Sequence, residues 1–292
     1  MIASVEKRLR IIKSMMTGDD HIRYSTWKDV AHETLKRYGR HKAEIRKQMS
    51  IVQIDDQLRV EMAGRVIYWP ANANRSRLAD MYFEVFDESN NHYFDIPETS
   101  IQPGDVVLDC GACEGYFTLK ALEAGASKVY SIEPGESISR CLSRSFASEI
   151  SDGRVSLHAC LLGDHNEDVL FYEDPEDPTV CRFYSRQEQV ILKENIRAVE
   201  MMTIDEFCAR QNVVKVDFIK ADVEGGEVSL LRGAQKTLKK FKPKLAFAAY
   251  HNSDDANQMV QCVDGLGLGY RFRVKGIVDF EKQPRPVMVH CY

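Results

Sequence analysis

The stretch that decides the fold is Val106-Val-Leu-Asp-Cys-Gly-Ala-Cys-Glu-Gly115. An apolar, β-prone run ends in an acid, Asp109, and passes through a Gly-x-x-x-Gly turn into a helical run. Gly111 and Gly115 allow backbone to approach a ligand closely at the carboxyl end of this strand, where open α/β sheets bind their ligands. The stretch therefore predicts a binding turn for a nucleotide-like cofactor.

The class of cofactor follows from what surrounds the two glycines. Ala112 and Cys113 stand where the dinucleotide fingerprint G-x-G-x-x-G has its second glycine, which disfavours a pyrophosphate. A carboxylate at Asp109 suits an ammonium or sulfonium group better than phosphates. The next strand ends in Glu133, which is placed to accept both hydroxyls of a ribose. Together these residues predict an adenosyl ligand with an intact ribose.

Beyond this stretch, apolar β-rich runs alternate with amphipathic helical runs at the spacing of βαβ units. Strands are predicted at 106–110, 128–133, 155–161, 216–221 and 245–250. Helices are predicted at 116–124, 137–149, 203–211, 228–240 and 254–265. The near-continuous apolar strands indicate a parallel sheet that is covered on both faces. Two further runs, 270–274 and 287–291, are expected to close one edge as an antiparallel hairpin.

The first hundred residues read as an extension of helices and a hairpin. Residues 1–50 hold 12 Lys/Arg and 6 Asp/Glu, a net charge of +6, so the other 242 residues carry −11 of the total of −5. Val5, Leu9, Ile12 and Met16 recur at helical spacing among basic residues, which predicts a helix that docks on the body or on a partner subunit; adsorption to an acidic membrane surface is the alternative. A second basic helical stretch spans 26–49. Runs 58–62 and 66–69 predict a hairpin, and 78–87 a short helix.

Composition sets the class of protein. The chain has 292 residues, 44% hydrophobic and 28% charged, as in soluble globular proteins. A net charge of −5 gives no general attraction to nucleic acid. Eight dispersed cysteines indicate reduced thiols, and neither a signal-length apolar start nor an 18-residue apolar run is present. A cytoplasmic protein without a membrane span is expected.

From about residue 103 to its end, the sequence resembles the class I S-adenosylmethionine-dependent methyltransferases, and more specifically the FkbM family. The resemblance is carried by segments 104–115, 129–134, 203–205, 217–227 with 231–234, and 242–245 leading to 250–251. Its most specific part is D-V-E-G-x-E at 222–227 followed by L-R-G-A at 231–234. The family usually has Asn-Ile inside the first glycine turn, where this chain has Cys113-Glu114.

The resemblance implies an α/β fold of the class I methyltransferase, or Rossmann-like, type: a mostly parallel sheet with helices on both faces, a C-terminal antiparallel edge hairpin, and an N-terminal extension. We divide the chain into 1–100 for the extension and 101–292 for the catalytic domain. The implied cofactor is S-adenosyl-L-methionine, and the implied reaction is O-methylation of a small hydroxylated acceptor such as a sugar or a secondary metabolite. Cofactor contacts are assigned to Asp109, Gly111, Ala112, Gly115, Glu133, Asp164 and Asp222.

Catalysis of methyl transfer to oxygen needs positioning and a base. Asp222 and His251 end the fourth and fifth predicted strands, so they are expected to be neighbours. His251 has the ordinary pKa best suited to a general base, and Asp222 would orient it, bind the hydroxyl, or share a metal ion with Glu224. Glu227 is interpreted either as functional or as a helix N-terminal charge. No metal ligands are assigned, although a divalent metal stays open.

Three questions remain open at the level of sequence. Residues 164–177 hold seven acids and no Lys or Arg, so they are either a solvated loop or an insertion that covers the substrate. The chain is either an active methyltransferase, a methyltransferase-like scaffold without turnover, or, less favoured, a nicotinamide-dependent oxidoreductase. The N-terminal basic helices offer a surface for a homodimer.

Overall fold

The computed structural model of the chain describes residues 2–35, 38–88, 92–94, 96–184 and 195–292, with side chains from residue 5 onward. The helices are α1 (Ile2–Thr17), α2 (Trp27–Leu35), α3 (Gly39–Gln48), α4 (Leu78–Phe86), α5 (Tyr116–Glu123), α6 (Glu136–Ser145), α7 (Ala147–Ser151), α8 (Ile204–Arg210), α9 (Glu227–Arg232), α10 (Gln235–Phe241) and α11 (Asp255–Asp264). The strands are β1 (Ser50–Ile54), β2 (Gln57–Met62), β3 (Arg65–Pro70), β4 (Val106–Cys110), β5 (Lys128–Ile132), β6 (Val155–His158), β7 (Leu161–Leu162), β8 (Glu167–Glu173), β9 (Cys181–Tyr184), β10 (Ile196–Met202), β11 (Phe218–Ala221), β12 (Lys244–Ala248), β13 (Phe272–Phe280) and β14 (Gln283–Cys291).

A seven-stranded sheet in the order β13-β14-β12-β11-β4-β5-β6 forms the centre of the molecule. Its five strands from β12 to β6 are parallel, and β14 and β13 add an antiparallel edge hairpin. Leu108, Ile219 and Leu245 pack on one face beneath α8 to α11. The alternate residues Val107 and Phe218 pack on the other face beneath α4 and α5. The predicted α/β fold with a parallel sheet covered on both faces is thus confirmed.

The antiparallel elements include one sheet that the sequence analysis missed. The N-terminal hairpin of β2 and β3 is confirmed, and β1 adds a third strand to it. Within 164–177, predicted as a loop or a covering insertion, β8 pairs with β10 and β9 in a second sheet. Val169 and Phe171 are buried on one side of β8. The sequence hid this two-residue period because acids flank the strand at both ends and the opposite face also carries the apolar Leu170 and Tyr172.

Two predicted helices are each divided in two. The stretch 137–149 forms α6 and α7, which meet at Phe146. The stretch 228–240 forms α9 and α10, which meet at Gly233. A Cβ on Gly233 would lie 2.0 Å from the carbonyl oxygen of Gly163, in the loop after β7. Only glycine, which has no Cβ, allows the two segments to approach so closely. This long-range contact has no signal in the local sequence.

Helix α1 lies on the body, but with a different face inward from the one predicted. Arg10 pairs with the buried carboxylate of Asp279 on β13 at 2.6 Å, and Ile11 is buried beside it. Val5 and Leu9, predicted to form the docking face, are exposed instead. The ion pair sets the rotation of the helix. Among the described helices, none is both long enough and apolar enough to cross a membrane. The domain boundary at residue 100 stays a prediction.

Candidate active site

The glycine turn between β4 and α5 lies at the carboxyl edge of the central sheet. Gly111, Cys113 and Gly115 all adopt positive φ, at 79°, 45° and 87°. The N–H groups of Gly111 and Ala112 both donate to the carbonyl oxygen of Ile132, at 3.0 and 3.1 Å. The N–H of Cys113 donates to Glu133 Oε2 at 3.0 Å. Because these three N–H groups have partners within the chain, they are not available to bind a pyrophosphate.

The glycines of the turn serve close contacts within the protein, and their predicted contact with a ligand stays a prediction. A Cβ on Gly111 would lie 1.9 Å from the carbonyl oxygen of Asp222, and one on Gly115 would lie 2.6 Å from the ring of Phe146. The methyl group of Ala112 is buried in the cluster that includes Phe146. Gly111 therefore lets β4 and the loop after β11 meet, and any contact of Ala112 with a cofactor would come from its backbone.

Replacing Gly111 by alanine tests this contact. Gly111→Ala is expected to destabilise the fold by several kcal/mol, since backbone cannot move aside as a side chain can. Gly104→Ala is the matched control, because Gly104 also has positive φ, at 88°, but nothing lies within 4 Å of its Cβ position. Its expected cost is only about 1 kcal/mol for the left-handed conformation. Chemical denaturation measures both; equal costs would show that the contact with Asp222 is unimportant.

Asp109 lies beneath the turn and forms a buried ion pair with Lys220. The two side chains are 0% and 5% exposed, and Lys220 Nζ lies 3.1 Å from Asp109 Oδ1. Thr118 donates to Asp109 Oδ2 at 2.7 Å. The ammonium of Lys220 also donates to the carbonyl oxygens of Cys110 and Gly111. Burial lowers the pKa of Lys220, but Asp109 and Asp222 raise it more, so the amine stays charged.

This arrangement changes the role of Asp109. Its carboxylate has no surface exposed to a ligand; it holds Lys220, and Lys220 holds the backbone of the turn. The sequence analysis missed Lys220 as a site residue. A signal was present, since a lysine within the apolar run Phe218–Ala221 must find a buried partner.

Glu133 joins the glycine turn to the loop that begins α6. Its Oε2 accepts from Cys113 N–H and its Oε1 from Gly135 N–H, at 3.0 and 2.8 Å. Burial raises the pKa of Glu133 to about 7, although the two backbone hydrogen bonds oppose the rise. The contact of Glu133 with a ribose stays a prediction. Such a contact would place the ribose between the glycine turn and the loop that begins α6.

Asp164 stands apart from these groups. It is exposed after β7, and its Oδ1 lies 2.6 Å from His165 Nδ1. The hydrogen bond from His165 lowers the pKa of Asp164. The assignment of Asp164 to the adenine amino group stays a prediction. In the described part of the chain, the polar contact of Asp164 is with His165 and not with the glycine turn or Glu133.

The predicted catalytic residues come together beside the glycine turn. His251 Nε2 lies 3.6 Å from Asp222 Oδ1 and 3.5 Å from Glu224 Oε2. On the other side of the ring, His251 Nδ1 lies 3.0 Å from Glu227 Oε1. The Asp222 side chain is 23% exposed and that of Glu224 72% exposed, whereas those of His251 and Glu227 are 9% and 0% exposed. Asp222 and Glu224 therefore reach the surface, whereas His251 and Glu227 are buried beside them.

The environment of His251 corrects the expectation that it has an ordinary pKa. Burial lowers the pKa of the imidazole, but Glu227, Asp222 and Glu224 raise it more, to about 9. Glu227 also accepts from the N–H groups of Val223 and Gly225, at 2.8 and 3.4 Å. It therefore fixes both the loop after β11 and the ring of His251, a role beyond that of a helix N-terminal charge.

Two tyrosines, Tyr93 and Tyr250, contact the predicted catalytic residues. Tyr93 donates its hydroxyl to Asp222 Oδ2 at 2.7 Å, and the ring centroids of Tyr250 and His251 lie 4.3 Å apart. The sequence analysis did not assign Tyr93 to the site. Its hydroxyl connects the extension to the predicted catalytic residues across a separation of 129 residues, which local sequence does not show.

Comparison with protein families identifies the class. The sequence model of the family described as Methyltransferase FkbM domain matches residues 109–272, which is more than half of the chain. The chain belongs to the FkbM methyltransferase family. This match confirms the family that the sequence resembled. A search of curated proteins finds no match.

Three solved structures of methyltransferases are similar to the chain at low sequence identity. An FkbM methyltransferase from Methylobacillus flagellatus KT is 17% identical, covers 97% of this chain and 60% of its own, and has a TM-score of 0.52. Trm5b from Pyrococcus abyssi is 11% identical, with 83% and 62% covered and a TM-score of 0.44. Fibrillarin from Aeropyrum pernix, solved with natively bound S-adenosyl-L-methionine, is 13% identical, with 83% and 98% covered and a TM-score of 0.37. The chain thus spans about 60% of the length of the FkbM structure that it matches.

Proposed function

We propose that this FkbM family member is an S-adenosylmethionine-dependent O-methyltransferase that acts on a hydroxyl of a small molecule, with a sugar or a glycosylated or secondary metabolite as the acceptor. One observation carries the proposal. The carbonyl oxygen of Asp222 packs directly against Gly111 of the glycine turn, while its carboxylate is partly exposed and lies beside His251. The predicted cofactor turn and the predicted proton acceptor are therefore adjacent.

The charges around the turn suit a cationic cofactor. Lys220, the cation nearest the turn, is neutralised by Asp109. Glu133 and Asp222 follow β5 and β11, the strands on either side of β4. The first three N–H groups of the turn have internal partners. This set of groups offers acceptors for a sulfonium, an ammonium and ribose hydroxyls, and few donors for phosphate. When bound, S-adenosylmethionine supplies an electrophilic methyl group.

Each residue of the candidate site then has a separate role in the reaction. Asp222 binds the acceptor hydroxyl and accepts its proton as the oxygen is methylated. Tyr93 holds one oxygen of this carboxylate, and His251 lies beside the other. Glu227 fixes the ring of His251 from behind. We assign the base to Asp222 and not to His251, because Asp222 contacts the turn and is the more exposed of the two.

A panel of acceptors tests the reaction. The protein is incubated with S-adenosylmethionine and matched sugars that differ by one hydroxyl, and products are identified by mass spectrometry. We expect a mass gain of one methylene that disappears with the deoxy acceptor. Methylation at nitrogen or carbon, or turnover that does not depend on a hydroxyl, would contradict the proposal. Failure of every acceptor in the presence of tight cofactor binding would favour the scaffold.

The pKa of Glu133 predicts a pH dependence of cofactor affinity. The ionised carboxylate is the better acceptor for ribose hydroxyls, so cofactor binding lowers its pKa from about 7. Affinity for S-adenosylhomocysteine is therefore expected to be full at about pH 8 and to fall as the pH drops through about 7. Glu133→Gln should bind more weakly and show a flatter curve. A wild-type affinity that is constant over this range would contradict the assignment of Glu133 to the ribose.

A further inference from the structure

The second sheet holds the segment that leads from β5 into α6, residues 133–137, which we call the β5–α6 loop. Glu173, the last residue of β8, accepts hydrogen bonds from the first two N–H groups of α6, at 2.7 and 3.0 Å. The guanidinium of Arg197, on β10, donates to the carbonyl oxygen of Pro134. Two strands that are distant in sequence therefore fix this loop from outside the central sheet.

Glu133 begins this loop and depends on it for its orientation. The N–H of Gly135 donates to Glu133 Oε1 at 2.8 Å, and Glu173 fixes the next residue, Glu136. A carboxylate has about four lone-pair positions, so each oxygen of Glu133 can accept one hydrogen bond more than it does in the structure. The two hydroxyls of a ribose need two such positions. The hold of Glu173 on the loop therefore bears on the predicted ribose contact.

The location of Glu173 shows that its side chain is not needed to fill the core. It is half-buried and lines a groove of about 360 Å³ beside Ser137 and Arg140. A carboxylate at the N-terminus of a helix stabilises the helix, and this effect alone would make Glu173 structural. A role toward the cofactor must therefore appear in a property other than stability, and the charge of Glu173 provides one.

The charge of Glu173 acts on Glu133. Burial raises the pKa of Glu133 to about 7, the hydrogen bonds from Gly135 and Cys113 and the charge of Lys220 lower it, and the charge of Glu173 raises it further. Because the ionised form of Glu133 is the better acceptor for ribose hydroxyls, this charge helps to set the pH below which the ribose contact weakens. Removing the charge should move that pH downward.

Other charged and titratable groups lie on the elements around Glu133. Burial raises the pKa of the two thiols and lowers that of the imidazole; it also lowers the pKa of the lysine, but buried carboxylates raise that pKa more. A further carboxyl of the glycine turn, that of Glu114, has its pKa raised by burial, and the charges that act on it most are those of Lys220 and Asp109. A change of charge at position 173 is therefore reported through Glu133. The groups of the first kind are Lys220 on β11, Arg197 on β10, Cys113 in the turn, Cys181 on β9 and His158 on β6.

We propose that Glu173 is a positioning residue for the cofactor, which holds the β5–α6 loop so that Glu133 can accept the ribose hydroxyls. The inference deepens the proposed function and rests on it, because that function assigns the cofactor to Glu133. The second sheet is then part of the cofactor site. The acidic segment 164–177 serves the cofactor through Glu173.

Calorimetric titration of the full chain with S-adenosylhomocysteine from pH 6 to pH 8 tests this role. Glu173→Ala removes both acceptor oxygens, and its affinity at pH 8 should fall about tenfold, the equivalent of one hydrogen bond to a charged group. Glu173→Gln keeps one acceptor oxygen but no charge, so its affinity should fall less at pH 8 and persist to a lower pH than that of the wild type. Glu176→Gln is the matched control and should bind as the wild type does. It removes a charge from the turn between β8 and β9, where the side chain is exposed.

Hydrogen exchange of the ligand-free chain provides a second readout. The N–H groups of Glu136 and Ser137 should exchange about tenfold faster in Glu173→Ala than in the wild type, because they lose their acceptor. Unchanged exchange would overturn the role of Glu173. So would two Glu173 variants that keep the affinity and the pH dependence of the wild type. In both cases the proposed function stands if the wild type binds S-adenosylhomocysteine.

The remaining outcomes separate a helix cap from a role toward the cofactor. Weaker binding by Glu173→Ala with an unmoved pH dependence in Glu173→Gln would show a helix cap only, and would overturn the proposal. If the wild type does not bind S-adenosylhomocysteine, the proposed function fails and the cofactor role of Glu173 fails with it, whereas faster exchange in Glu173→Ala would still confirm the hold on the loop. Thermal unfolding shows whether each variant is folded; if Glu173→Ala is not, the pH dependence of Glu173→Gln decides.

Discussion

Asp222→Asn is expected to lower the rate of methyl transfer by about 10² to 10⁴, the usual contribution of a general base. The amide keeps the shape of the side chain and can still accept from Tyr93, but it cannot take a proton from the acceptor. Because the contact with Gly111 comes from the backbone of Asp222, affinity for S-adenosylhomocysteine should be nearly unchanged. Initial rates and calorimetric titration of the same preparation measure the two effects.

Tyr93→Phe provides the graded comparison. It removes one hydrogen bond to a charged acceptor, worth about 1.5 to 3 kcal/mol, and leaves the carboxylate in place. Its rate should therefore fall less than that of Asp222→Asn. If Asp222→Asn turns over near the wild-type rate while His251→Ala does not, the base is His251, and the assignment made from the geometry of the site is wrong.

Lys220→Met is expected to destabilise the protein by about 3–5 kcal/mol, the usual effect of removing one partner of a buried ion pair. The substitution leaves Asp109 charged, fully buried and deprived of its cation. It also frees the carbonyl oxygens of Cys110 and Gly111, so the glycine turn loses the group that holds it from below. Chemical denaturation should show the loss of stability, and calorimetry a weaker affinity for S-adenosylhomocysteine.

The double variant Asp109→Asn with Lys220→Met separates the two causes. Removing both charges is expected to restore much of the stability, because the uncompensated carboxylate is gone. Cofactor affinity should stay low, since the turn still lacks the ammonium. A double variant as unstable as Lys220→Met would show that the cost is loss of the lysine contacts and not an unpaired charge.

Local sequence predicted the parallel sheet because its central strands β4, β11 and β12 are almost fully buried and mostly apolar. The boundaries of β4 are those predicted, since an acid and a glycine end the run. In contrast, β8 is buried on one face only, and its acids concealed the alternation around Val169 and Phe171. Helix α1 shows the same limit: its apolar spacing predicted a helix, but the ion pair of Arg10 with Asp279, distant in sequence, decided which face is buried.

The candidate site was predicted in position but not in electrostatics. Strand ends placed Asp222 and His251 together, as the rule for parallel sheets requires. The high pKa of His251 arises because Glu224 and Glu227 approach it from the loop after β11 and from α9. Lys220 was overlooked because its partner, Asp109, lies on another strand and is related to it only by the register of β11 and β4.

The most direct test of the account is a calorimetric titration of the wild-type chain with S-adenosylhomocysteine, with NAD titrated in parallel. We predict saturable binding of one S-adenosylhomocysteine per chain and no heat from NAD. The site offers acceptors to the ammonium and ribose hydroxyls of an adenosyl ligand, and the first three N–H groups of the turn are already used. Binding of NAD, or of neither ligand after removal of any carried-over cofactor, would contradict the account.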